Sequence, residues 1–128
     1  MKVRSLPSPP GRSAIQSYGP EGFRIADALY REAIVVLPSG IERWPAAYAS
    51  LDEDDFASVM AHRTEFDVLL VGCGAAGVEL PHALGLRLRA MHLPCELMDT
   101  GAACRTYNLL IAEGRRVAAV LLPPIPAG

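Results

Sequence analysis

The run Asp99-Thr100-Gly101-Ala102-Ala103-Cys104-Arg105-Thr106-Tyr107-Asn108 gathers a carboxylate, a thiol, a guanidinium and an amide where a strand pattern gives way to a helical one. Backbone N–H groups freed at Gly101 and Ala102 by a starting helix, with Arg105 one turn on, suit a small carboxylate or phosphate. The competing reading is structural. Asp99 or Thr100 caps the helix, worth about 1 kcal/mol, and Cys104 is a small buried apolar residue. As a nucleophile Cys104 would need a base, and no His lies near it in the sequence. Asp99-Thr100-Gly101 is also the triplet of aspartic proteases, but their chemistry shares a proton between two carboxylates on paired β-lobes. This chain has one such triplet, leading straight into a helical pattern.

A second group precedes it. Gly72-Cys73-Gly74-Ala75-Ala76-Gly77 fits G-x-G-x-x-G, follows a strand pattern, precedes a helical one, and has Asp99 22 residues after its third glycine. A dinucleotide loop opens its helix within the glycines so that the N-terminus faces the pyrophosphate. Here Pro81 and the apolar stripe put the helix start at 79–81, and only two strands remain after the loop. The expectation is a structural glycine loop with no cofactor, a smaller ligand being the remaining alternative. In an open α/β sheet both loops leave parallel strands at the same edge, where ligands usually bind. Gly72, Cys73, Gly74, Asp99, Thr100, Gly101, Cys104, Arg105 and Asn108 are therefore the candidate crevice residues, with none assigned as catalytic. His62, His82 and His92 stand 20 and 10 residues apart, and the one close pair is His92 with Cys95. Metal sites show tighter spacing, so none is expected.

The elements that must position these loops read as follows. Residues 15–18, a Gly19-Pro20-Glu21-Gly22 turn and residues 23–25 form two strands, with alternation through Phe23, Ile25 and Leu29. Ala33-Ile34-Val35-Val36-Leu37 reads as a strand buried on both faces and ended by Pro38-Ser39-Gly40. Ser50 with Glu53 has the form of a capping box, and Phe56, Val59 and Met60 mark a helix running to about Arg63. Strands follow at 66–71, 95–98 and 116–122. Helices are marked by Leu84, Leu88 and Met91, then by Ala103, Tyr107, Leu110 and Ile111, the last stopping at Gly114. Trp44 sits in a loop as a core lid or an interface anchor, a lid being expected.

The order is β-β-β then α-β-α-β-α-β. It predicts a three-layer α/β domain with a mixed, mostly parallel sheet, helices on both faces and an N-terminal β segment as edge strands or a small accessory sheet. Residues 1–14 are expected to be a flexible leader, 15–122 one domain and 123–128 a tail. The unpaired edge of the accessory strands leaves self-association open.

The composition bounds the function. Of 128 residues 51% are hydrophobic, enough for a core and against global disorder. Twelve basic residues against 14 acidic ones provide no net positive field for a nucleic acid. The longest apolar stretch, 68–78, is interrupted by three glycines and far short of the ~20 residues of a membrane span. Three cysteines without a C-x-x-C pair or an apolar export signal fit reduced thiols and a cytoplasmic place.

Ser17-Tyr18-Gly19, Gly22-Phe23-Arg24, Leu37-Pro38, Trp44, Gly72, Gly74, the stretch from Asp99-Thr100 through Cys104-Arg105-Thr106-Tyr107-Asn108, and Glu113-Gly114-Arg115 together resemble a family of small uncharacterised α/β domains. Its eukaryotic members include a mitochondrial complex I assembly factor and an adipogenesis-associated protein. The resemblance covers residue 15 to about 122. It implies a three-layered domain with a mixed sheet, no established catalytic activity, and association with protein partners such as assembly factors of a membrane complex. The chain shows no mitochondrial presequence, so a bacterial cytoplasmic protein is expected. The mitochondrial branch matches less well around Gly101 and Arg105, and the resemblance assigns those two residues no assembly role. The alternative expectation is a binding protein or enzyme for an anionic metabolite in the crevice.

Overall fold

Ile15, Phe23, Ile25 and Tyr30 turn inward from three short strands: β1 (Ile15–Gly19), β2 (Gly22–Ile25) and β3 (Ala28–Tyr30). These make an antiparallel sheet of their own, order β1-β2-β3, in a computed structural model that describes residues 13–46, 51–75, 82–93 and 95–124. The turn between β2 and β3 holds Ala26 and Asp27 at φ 51° and 66°, the mirror-image geometry usually supplied by Asn-Gly. Asp27 N–H donates to Gln16 Oε1 at 2.7 Å, and Gln16 Nε2 donates to Asp27 Oδ1 at 3.2 Å. A side chain from β1 thus holds a turn that its own two residues do not favour. The expected alternation through Leu29 is corrected here. The turn pairs Phe23 with Tyr30, so Tyr30 enters the core and Leu29 stays half-buried on the other face.

The main sheet has the order β5-β4-β8-β6-β7, from β4 (Ile34–Leu37), β5 (Gly40–Arg43), β6 (Val68–Gly72), β7 (Cys95–Met98) and β8 (Val117–Leu121). The ladders of β8 with β6 and of β6 with β7 are parallel, and those of β4 with β5 and with β8 are antiparallel. Four strands thus run one way and β4 runs against them. Pro38-Ser39-Gly40 ends β4 as expected and also turns it into a hairpin with β5, a strand that was not expected, pairing Leu37 with Gly40. β8 is paired on both edges and covered on both faces, and the covering is why Val117-Ala118-Ala119-Val120-Leu121 is apolar throughout and fully buried.

Alternation divides the core into two layers. Val35, Leu37, Leu69, Val71, Ala118 and Val120 face one side, and Ile34, Val36, Leu70, Val117, Ala119 and Leu121 the other. The first side is covered by α1 (Ala57–Met60) through Val59 and by α2 (His82–Ala90) through Leu84 and Leu88. Each such side chain contributes roughly 1.5–3 kcal/mol when fully buried. The second side is covered by α3 (Thr100–Ala112), which buries Ala103, Cys104 and Tyr107 on β6 and β8, and by the small sheet. The expected three-layer mixed α/β architecture is thereby found, with the opening strands as an accessory sheet.

The helix expected to start from Ser50 and run to Arg63 is shorter. Ser50 lies outside the described residues. The capping box belongs to Asp52, whose carboxylate accepts from Asp54 N–H at 2.8 Å while Asp55 Oδ2 accepts from Asp52 N–H at 2.9 Å. A 3₁₀ turn over Glu53–Phe56 leads into α1, and a second, Arg63–Glu65, precedes β6. Trp44 is a core lid, 2% exposed, with Nε1 donating to Asp55 O at 2.6 Å and its ring edge-on to Phe56 at 5.5 Å. Most of the expected leader, part of the expected tail, Gly77 and Pro81 lie outside the described residues.

Candidate functional site

The two expected loops do meet at the ends of β6 and β7, and Thr100 fills the space between them. Cys73 N–H donates to Met98 O at 2.8 Å as the strands part. Thr100 then makes three bonds to two residues. Its N–H donates to Gly74 O at 2.9 Å, its Oγ1 accepts from Gly74 N–H at 2.9 Å, and the same hydroxyl donates to Leu122 O at 2.6 Å. Leu122 N–H closes the circuit on Gly72 O at 3.0 Å. The Thr100 side chain is fully buried. A Cβ on Gly72 would stand 3.0 Å from both Thr100 Oγ1 and Leu121 Cδ2, and Gly74 sits at φ +102°. These glycines therefore let protein approach protein, one by leaving room and the other by a left-handed turn.

Asp99 caps α3. Its Oδ1 accepts from Ala102 N–H at 2.8 Å, so the carboxylate already occupies the positive end of the helix. Arg105 donates from Nη1 to the Tyr18 hydroxyl at 2.7 Å. Gly101 lies beneath this contact. A Cβ there would be 3.2 Å from Tyr18 Oη and 3.3 Å from both Arg105 Nη1 and Asp99 Oδ1. Asn108 is farther along the helix and serves β1, its Oδ1 accepting from Ile15 N–H at 2.7 Å and its Nδ2 donating to Ile15 O at 3.0 Å. The amide thus imitates a neighbouring strand.

The two cysteines of the group are separated by the sheet. Cys73 belongs to the layer under α1 and α2, Cys104 to the layer under α3. Burial pushes the Cys104 thiol up to about 12, the nearby Asp99 charge adding to this and Arg105 partly offsetting it. Burial likewise pushes Cys73 up to about 11. Neither provides a thiolate near neutral pH. Of the nine residues, Gly72, Gly74, Asp99 and Thr100 come together at the loop junction, and Gly101 and Arg105 face Tyr18. Cys73, Cys104 and Asn108 are spent on packing and on β1. Sequence reasoning missed Tyr18, whose partner Arg105 is 87 residues away and carries no local signal of it. Among the described residues no three His, Cys, Asp or Glu side chains gather to hold a metal ion, and no helix is long and apolar enough to cross a membrane.

Residues 15–122 match the model of a family described as protein of unknown function, DUF498/DUF598. The chain belongs to this family. Among DUF498 relatives, an uncharacterized protein of Rhodobacter capsulatus is 39% identical over 88% of this chain and 86% of its own length. NADH dehydrogenase (ubiquinone) 1 alpha subcomplex assembly factor 3 of Danio rerio is 32% identical over 91% of this chain and 67% of its own, and the Homo sapiens factor of that name 30% identical over 89% and 62%. The chain thus spans about two thirds of the length of these assembly factors. A crystal structure described as an outer membrane protein from Bartonella henselae superposes with a TM-score of 0.76 at 38% identity, covering 89% of this chain and 97% of that one. The DUF498 domain therefore carries the fold described above.

Proposed function

We propose that the chain is a non-enzymatic protein-association module, working in the cytoplasm as an assembly or chaperone-like factor for a membrane complex of the respiratory type. The observation that carries this reading is the alignment of relatives named assembly factor 3 along 91% and 89% of the chain, across both of its sheets. The geometry of the loop junction supports it. The polar groups best placed for chemistry are engaged in holding the fold: Thr100 by three bonds, Asp99 as a cap, Asn108 as a strand partner. The alternative, an anionic metabolite held between the Gly72 and Asp99 loops, would need the Ala102 N–H that Asp99 occupies and the Arg105 that Tyr18 engages.

The test is affinity purification of the tagged full chain from its native cells after mild crosslinking, with quantitative mass spectrometry against an untagged control. Enrichment of subunits of one membrane-associated respiratory complex, or of its assembly factors, is the expected result. Recovery of no enriched protein would sink the proposal.

A further inference from the structure

The face of the small sheet turned away from the core carries a hollow that the loop junction does not explain. In register, Ser17 pairs with Arg24 and Arg24 with Leu29, forming one cross-strand row on that outer face. The next pair on the same face is Gly19 with Gly22, which has no side chains. The row and the glycine pair, with Tyr18 and the Pro20-Glu21 tip beside them, line an open depression of about 330 Å³. That lies at the lower end of the range for small-molecule sites, so a fitting ligand is compact.

The charges narrow its chemistry. Arg24 is half-buried and lines the hollow, and its guanidinium has neither an ion pair nor a hydrogen-bond partner among the described residues. A guanidinium in that state offers two parallel N–H donors, the geometry a carboxylate accepts. Glu21 lines the same hollow and disfavours a second negative charge on the ligand, while Leu29 and Pro20 supply apolar wall for a short alkyl body. We propose that this hollow is a binding site for a compact monocarboxylate, its carboxylate on Arg24 and its alkyl group against Leu29 and Pro20. Through Tyr18 the site borders the Arg105 contact, but it does not include the Gly72–Thr100 junction and does not depend on the assembly reading.

Two substitutions separate the site from the fold. Arg24→Gln removes the charge and keeps a polar, half-buried side chain. Gly19→Val builds into the hollow at a position where a Cβ meets nothing within 4 Å and the backbone is not left-handed, so folding is retained. The experiment is a ¹H–¹⁵N titration of the full chain with propionate at constant ionic strength, with chloride and inorganic phosphate as parallel arms. Expected are saturable shifts confined to Ser17, Gly19, Gly22 and the backbone and side-chain N–H of Arg24, with apparent affinity weakened at least tenfold in both variants. Linear shifts spread over many arginines, shifts that survive Arg24→Gln or Gly19→Val, or an equal response to phosphate would each overturn the proposal.

Discussion

Gly72 and Thr100 fit only as a pair: a methyl group on Gly72 would stand 3.0 Å from Thr100 Oγ1 and 3.1 Å from its Cα. The contact sets how closely the start of α3 approaches the end of β6, and so whether the loops at this sheet edge form a crevice or a seam.

Enlarging one partner or stripping the other should be costly. Gly72→Ala forces backbone or Leu121 to move and is expected to destabilise by about 1–3 kcal/mol, as overpacked sites do. Thr100→Val keeps the shape but leaves Gly74 N–H and Leu122 O without their hydroxyl partner, at about 1–3 kcal/mol for each buried group left unsatisfied. Thr100→Ser should cost much less. Urea denaturation read by circular dichroism compares the three.

Asn108 should control β1 more than it controls the main sheet. Its amide bonds both backbone groups of Ile15 across 93 residues of sequence. Asn108→Ala is expected to cost about 1–3 kcal/mol through the unpaired groups it leaves. It should also speed amide exchange in β1 and β2 by more than tenfold while β6 and β8 exchange nearly as before. Uniform acceleration across both sheets would show that the two layers unfold as one unit.

The thiols should be quiet in the native state. With Cys104 pushed up to about 12 and Cys73 up to about 11, both by burial, roughly one Cys73 thiolate in a thousand and fewer for Cys104 exist at pH 8. Iodoacetamide at that pH should label the half-buried Cys95 slowly and the other two only once urea unfolds the chain, as mass spectrometry would read. The sign of the pH dependence follows. Thiols raised from an ordinary 9.0 leave stability intact below pH 9, and it is lost progressively as pH rises from 9 toward 12.

Glu65 should contribute to the acid limb. Partial burial pulls its carboxyl up, but the hydrogen bonds from Ser39 and His62 together outweigh this and hold it below its ordinary 4.5. Ser39 N–H donates to Oε1 at 3.1 Å, and His62 Nδ1 lies 2.6 Å from Oε2. A lowered carboxyl stabilises above that ordinary value and loses the contribution as pH falls through and below it. Glu65→Gln should therefore lower stability at pH 7 by less than about 1 kcal/mol, as befits a solvent-screened group, and make no difference at pH 2. Thermal melts at the two pH values check this.

Much of the fold was readable because its signals are local. The runs at Ile34–Leu37, Val68–Gly72 and Val117–Leu121 are apolar without alternation, as strands covered on both faces must be. β3 and β5 escaped notice for different reasons. Ala26-Asp27 carries no turn signal because Gln16 supplies the support, and Pro38-Ser39-Gly40 punctuates a hairpin and a strand end in the same way. At the site, a helix cap at Asp99 or Thr100 was legible from residue type, and the structure assigns it to Asp99, whereas the Arg105 contact with Tyr18 joins residues 87 positions apart.

By itself the sequence determined most of the element types and the glycines at the strand ends, because each follows from side-chain period and backbone freedom within a few residues. Tertiary structure decided what the glycines are for. Thr100 meets Gly74 and Leu122, 26 and 22 positions away, and only the folding of β6, β8 and α3 onto one another brings that hydroxyl between two loops. The same hydroxyl, left solvent-facing, would have bordered an open crevice; buried, it must satisfy its hydrogen bonds within the protein, and doing so closes the seam.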